Sequence, residues 1–160
     1  MVEEMLSWYG EQQVVYLATA DDLQPRVRPM TLIEMGEGFY MITGARGGVH
    51  AAKLAQIRRN PRVEYYMTLE GDDGDGFIRG EGVAAEVDDE DTKRRVYDLI
   101  GWAGNFFDTV DHPDYVLIEI MHTGFSYRRP GEYDIHRVRR VGSIFSGFQG
   151  SLGRSKAEGS

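Results

Sequence analysis

The sequence predicts a mainly β protein, a six- to seven-stranded antiparallel barrel with α additions, on three observations. Short runs rich in β-branched and aromatic residues recur between clusters of Gly, Asp, Asn and Pro, which is the pattern of strands and turns. Only two internal segments, 49–59 and roughly 88–100, combine helix formers with helical apolar spacing. The 160 residues suit one domain that buries about two-thirds of its unfolded surface around a single core. Many strands with few helices close most economically as a barrel.

In chain order, Val2, Met5, Leu6 and Tyr9 fall at i, i+3, i+4 and i+7, so a short helix ending at Gly10 presents one apolar face, suited to lidding a barrel end. Val14 to Ala20, Pro25 to Ile33 and Phe39 to Thr43 form a three-stranded meander, broken at Asp21-Asp22 and at Met35-Gly36-Glu37-Gly38. A glycine loop, Gly44-Ala45-Arg46-Gly47-Gly48, then opens into a helix over Val49 to Arg59 that Asn60-Pro61 stops. Val63 to Leu69 and Phe77 to Val87 are strands around an acidic glycine loop, and glycines 80 and 82 mark a bulge or a close approach. Asp88 to Asp91 put negative charge at the start of a second helix running to about Ile100, with Val96, Leu99 and Ile100 facing inward. A mixed loop to Asp114 holds Trp102, Phe106 and Phe107; Tyr115 to Tyr127 is a long strand, and Tyr133 to Val138 its hairpin partner. The domain is expected over 1–141 and a flexible tail over 142–160, where Gly and Ser dominate.

Composition narrows the chemistry. With no cysteine there are no disulfides, thiolate metal sites or Cys nucleophile, and redox work would need a borrowed cofactor. The net charge of -8 opposes general nucleic-acid binding, which needs a concentrated positive face. No apolar run approaches a membrane span and the N-terminus lacks a basic signal region, so a cytoplasmic protein without membrane partners is expected. Charge is uneven, however: between Ala45 and Val63 there is no acid, while Arg46, Lys53, Arg58, Arg59 and Arg62 are all present. A local basic stretch in an acidic protein suits a small anionic ligand. Metal chemistry has little support. His112 with Asp111 and Asp114 lacks ligand spacing, and the loop Glu70 to Gly76 lacks the downstream glutamate of a calcium loop, so no metal is expected.

The ordered set Gln24-Pro25-Arg26-Val27-Arg28-Pro29-Met30-Thr31, Phe39-Tyr40-Met41-Ile42-Thr43 and Lys53 through Asn60-Pro61-Arg62-Val63 resembles the FMN-binding half of the pyridoxamine 5'-phosphate oxidase-like family, in particular its general-stress-protein branch. A weaker likeness reaches Phe77 to Val87 and His112 to Val116, so it covers about residues 5–127. The resemblance implies a split barrel and a homodimer with FMN bound between subunits. It also implies a cofactor site drawn from Arg26, Val27, Arg28, Pro29, Met30, Thr31, Ile42, Thr43, Arg46, Gly48, His50, Lys53 and Trp102.

Physical chemistry supports a phosphate there independently. Glycines 44, 47 and 48 let backbone N–H groups turn inward before a helix N-terminus, where unpaired donors and the dipole favour an anion. Lys53 lies about one turn inside that helix, and helical side chains lean back toward the N-terminus. Arg26 and Arg28, two apart on a strand, share a face and offer planar donor forks; which one meets the phosphate is open. Arg58 and Arg59 read as the solvated face of the helix. The edge of the flavin ring would lie along Val27, Pro29, Met30 and Thr31, and Trp102 is either a stacking partner or a structural residue.

Departures from the family bound the activity. True oxidases of this family carry Ser-Arg before the helix lysine, where this chain has Ala51 and Ala52, leaving Arg46, His50 or loop amides to compensate. The substrate-binding lysine position holds Ile33, and no basic ending follows Gly142. The expectation is therefore an FMN-dependent oxidoreductase acting on an unidentified small molecule, not a pyridoxamine phosphate oxidase, with no side chain standing out as catalytic. The rivals are a deazaflavin (F420) or haem-binding relative, a non-catalytic flavin-binding stress-response protein, and an interaction domain with an eroded site.

Overall fold

A computed structural model describes residues 2–21, 24–36, 38–44, 49–141 and 144–150, with only the backbone described at 44, 49–53, 141 and 144–150. It contains α1 (Val2–Ser7), β1 (Gln12–Ala20), β2 (Pro25–Met35), β3 (Gly38–Gly44), α2 (Val49–Arg59), β4 (Arg62–Leu69), β5 (Gly76–Glu86), α3 (Glu90–Leu99), α4 (Ala103–Phe106), β6 (Tyr115–Arg128), β7 (Ile135–Val141) and β8 (Ile144–Gly150). The strands follow the order β3-β2-β1-β4-β5-β6-β7-β8, all antiparallel, and β3 also pairs with β6. That last pairing closes β1 to β6 into a six-stranded barrel, with β7 and β8 extending from it. Residues 144–150, assigned to the tail by composition, instead form β8 along β7. Ser146, Gly147 and Gly150 carry little strand preference of their own, and the pairing comes from the neighbouring strand edge.

Because β5 occupies one edge of β6, β3 and β7 share the other. β3 ends its pairing at Glu119 and β7 begins at Gly124, so the barrel is split between them. The register shifts between Glu81 and Gly82 on β5, opposite this split.

The interior is one cluster that includes Val15, Leu17, Leu32, Met41, Tyr65, Ile78, Ile118 and Tyr127, with Met5 of α1 closing one end and Leu54 and Ile57 of α2 closing the other. Gly80 makes room for the buried Tyr65: a Cβ at residue 80 would sit 2.3 Å from that ring. A second, external core lies under α3, where Val96, Ile100 and Ala103 cover Ile33, Tyr40 and Leu117 on the outside of the barrel. Asp89 caps α3 by accepting from the Thr92 backbone N–H at 3.0 Å. The outer face of β2-β1-β4 has no such cover among the described residues, and Val14, Tyr16, Val27 and Tyr66 are exposed on it. No described helix is long and apolar enough to cross a membrane.

Candidate functional site

The end of the barrel capped by α2 gathers most of the basic stretch. α2 lays Leu54 and Ile57 on the core, and between them the uncharged Gln56 is drawn inside, only 7% exposed. Its Oε1 accepts from the Thr19 hydroxyl of β1 at 3.1 Å and from Arg28 Nη2 of β2 at 3.3 Å. The helix stops where Asn60 turns its side chain to the Ala20 carbonyl at 3.0 Å and accepts from the Arg62 N–H at 3.2 Å, so α2 is tied to both neighbouring strands.

Arg28 is the distinctive group. One nitrogen of its guanidinium is held by Gln56, while Nη1 is buried with no hydrogen-bond partner among the described residues. Burial lowers its pKa, with the neighbouring Arg26 charge adding to the effect. A half-buried guanidinium with one buried, open donor and a like charge nearby is an unfinished arrangement, because an unmet buried donor costs on the order of 1–3 kcal/mol. An anion would complete it. Two cations of α2 are engaged at the surface: Arg58 bonds Glu86 at 2.6 Å and Arg59 lies 4.0 Å from Asp21.

The expected site residues divide by strand alternation. The register of β2 against the buried Leu17 and Thr19 turns Arg28 and Arg26 toward the α2 end of the interior, Arg26 remaining exposed, and Met30 packs on the core. Val27, Pro29 and Thr31 alternate onto the outer face. On β3, Thr43 is buried at 1% exposure, whereas Ile42 packs outward under the α3 layer. His50 and Lys53 lie on α2, their side chains outside the described residues, and Arg46 and Gly48 fall outside the described residues altogether. Trp102 donates to Gln12 Oε1 at 2.8 Å and meets Phe106 edge-on. Gln12 pairs with Ile33, five positions along β2 from Arg28, roughly 17 Å at strand rise, so Trp102 and Arg28 do not meet within one chain.

Sequence reasoning found Asn60 as the helix stop but missed Gln56 and Thr19 as the groups that set Arg28. The available signal was Gln56 itself, a polar residue between two core positions of an amphipathic helix, which needs a buried partner.

The other barrel end is uncharged at its centre. Tyr9 and Tyr65 hydroxyls lie 2.6 Å apart, and the Tyr65 hydroxyl lies 2.9 Å from His122 Nε2. Burial pushes the His122 imidazole down to about 4 and raises the Tyr65 phenol, so the chain is neutral at physiological pH. α1 is fastened beside it by Glu4, which accepts from Arg129 Nη2 at 2.8 Å, while Arg129 Nη1 bonds His136 Nε2 at 3.1 Å.

The comparisons with known proteins agree with this architecture. The model of the family described as pyridoxamine 5'-phosphate oxidase matches residues 1–128. General stress protein 26 from Bacillus anthracis is similar with a TM-score of 0.65 at 22% identity, over 86% of this chain and 97% of that one. A FAD-binding protein from Mesorhizobium loti gives 0.60 at 21%, over 79% and 91%. A haem-binding protein from Mycobacterium smegmatis gives 0.59 at 13%, over 87% and 53%. No curated protein matches. Flavin and haem binders thus share this barrel, and the chain belongs to the pyridoxamine 5'-phosphate oxidase family.

Proposed function

We propose that this chain binds FMN with the phosphate at the α2 end of the barrel and works as a homodimeric flavin-dependent oxidoreductase on a small molecule. The observation that carries the reading is Arg28, whose buried Nη1 lacks an acceptor among the described residues, beside a helix that the sequence places after a run of glycines. A phosphate would supply that acceptor, the N-terminal amides of α2 would add donors, and Lys53 would contribute a point charge. Gln56 and Thr19 have a positioning role, holding the guanidinium fork so that one edge is spent on the protein and the other is open. Bound FMN supplies two-electron transfer; the chain supplies orientation and electrostatics.

The dimer reading rests on the outer face. Register places Tyr16 opposite both Pro29 and Tyr66, Val14 opposite Thr31, and Ala18 opposite Val27, so the exposed apolar groups are contiguous across three strands. A continuous apolar face marks an interaction surface, and a second copy would cover it. Val27, Pro29 and Thr31 would then lie in the interface, with the flavin ring between subunits.

The test is an absorbance spectrum after incubation with FMN and gel filtration, with mass by light scattering on the same column. Flavin bands retained at about one per chain in a dimer, and lost in Lys53→Ala, support the reading. Colourless protein overturns it. Haem is the competing cofactor, on the strength of the mycobacterial neighbour, and a Soret band after incubation with haem in place of FMN would favour it. Turnover of reduced nicotinamide in the presence of assorted acceptors separates an enzyme from a flavin-holding stress protein.

A further inference from the structure

We infer that the split in the barrel is a second ligand site, at the end opposite α2, for a small neutral aromatic molecule bearing one hydroxyl group. The site begins with topology. Between the last β3 partner, Glu119, and the first β7 partner, Gly124, four residues of β6 have no strand on that edge among the described residues. A cavity of about 490 Å³ occupies the gap, roofed by Met5 and Leu6 of α1 and walled by Phe39, Ile120 and Phe125. That volume lies within the range of small-molecule sites and suits one or two fused rings.

His122 lines this cavity although the residue is only 7% exposed. Its ring is fixed on both sides, with Phe125 stacked at 4.5 Å between centroids and Phe39 edge-on at 4.6 Å. Its Nε2 is engaged by the Tyr65 hydroxyl. No described residue bonds its Nδ1, and the residue borders the cavity. An immobilised imidazole with one nitrogen spent inward and one remaining at an apolar cavity is a single-point recognition element.

The ligand class follows from the tautomers. When Tyr65 donates to Nε2, Nδ1 carries the hydrogen and needs an acceptor; when Nε2 donates to Tyr65, Nδ1 needs a donor. A hydroxyl serves both. An anion would meet Glu34 and Glu119, which line the same cavity, with only Arg140 opposing them. A cation at the floor would be desolvated against the neutral Tyr9-Tyr65-His122 chain. Neutral and singly hydroxylated is the class that remains, and the aromatic walls favour a planar ring.

The test is an NMR titration of the protein, with and without added FMN, using 2-naphthol and naphthalene. The expected result is saturable 2-naphthol binding, unchanged by FMN, with shifts centred on Phe39, His122 and Phe125, and naphthalene about tenfold weaker because it lacks the hydrogen bond. His122→Phe keeps the ring stack and should erase the tenfold preference while leaving naphthalene binding within about twofold. Leu6→Trp on the rim should block both ligands. Equal affinity of the two probes in the wild type, shifts centred elsewhere, or no saturation overturns the proposal. So does a preference that survives His122→Phe. Should that variant fail to fold, Leu6→Trp decides alone: undiminished 2-naphthol binding overturns the site and loss of binding supports it. Colourless protein in the FMN experiment leaves this result independent, since the two sites lie at opposite ends.

Discussion

The two ends of the barrel are each closed by a helix, yet they solve the problem of polar groups in opposite ways. At the α2 end, the half-buried Arg28 keeps its charge, and its buried Nη1 has no partner among the described residues, which leaves a donor open to an anion. At the α1 end, Tyr9, Tyr65 and His122 satisfy one another and burial holds the imidazole neutral, so the end is complete apart from one nitrogen beside the split. The difference teaches what burial selects. A permanent charge can be buried only against a counter-charge, whereas a titratable ring can discard its proton and become part of a core.

The largest expected effect breaks the α1 end directly. Gly80→Val would drive side-chain carbon into the Tyr65 ring and should destabilise the fold by about 3 kcal/mol, read as a lowered urea midpoint at unchanged slope. A neutral midpoint matching wild type would mean that the Tyr9-Tyr65-His122 chain is not held as described.

Acid probes the same chain more gently. His122 titrates near 4 when folded, below the ~6.5 of an exposed histidine. The unfolded chain therefore takes up a proton that the folded one refuses. The contribution of neutral His122 is complete above about pH 6.5 and declines as pH falls to about 4, a loss of up to about 3 kcal/mol. Denaturation curves in that window should steepen this decline in wild type relative to His122→Phe; parallel curves would show that the imidazole is not buried neutral.

At the α2 end, Arg28→Met should weaken FMN binding about 30-fold, near 2 kcal/mol, with little change in melting temperature, because Thr19 still satisfies Gln56. Arg28→Lys should recover only part of the affinity, since a point charge cannot serve Gln56 and phosphate in one plane. A large loss of stability in Arg28→Met without loss of binding would reverse the contrast between the ends.

The smallest effect concerns the fastening of α1. Glu4→Gln removes the charge that Arg129 binds, and because both groups are about one-third exposed the loss should be about 0.5 kcal/mol. Hydrogen exchange should show faster opening of α1 alone, with β1 and β4 unaffected. Exchange that accelerates throughout the barrel would make α1 part of the cooperative core.

Much of this was legible in the chain. The meander, the helix stopped at Asn60-Pro61 and the long strand from Tyr115 depend on local turn chemistry and on period-two alternation, which are properties of neighbouring residues. β8 was not legible, because Ser146 and Gly147 carry no strand signal and their pairing comes from the edge of β7. The basic segment around Lys53 suggested an anion site at the level of composition, but what separates Arg58 and Arg59 from Arg28 is their partners Glu86, Asp21 and Gln56, each distant in sequence from the arginine it meets.

By itself, then, the sequence determined the class of fold, the family and the presence of a cationic stretch along and around a helix, because these depend on periodicity, motif order and charge. Only the tertiary structure decided that Arg28 has an unmet nitrogen beside α2, that β3 and β7 divide one edge of β6, and that a histidine is held neutral beside the gap. Each of those depends on strand register and on which polar group finds a partner across the barrel, and neither is encoded by any contiguous stretch of the chain.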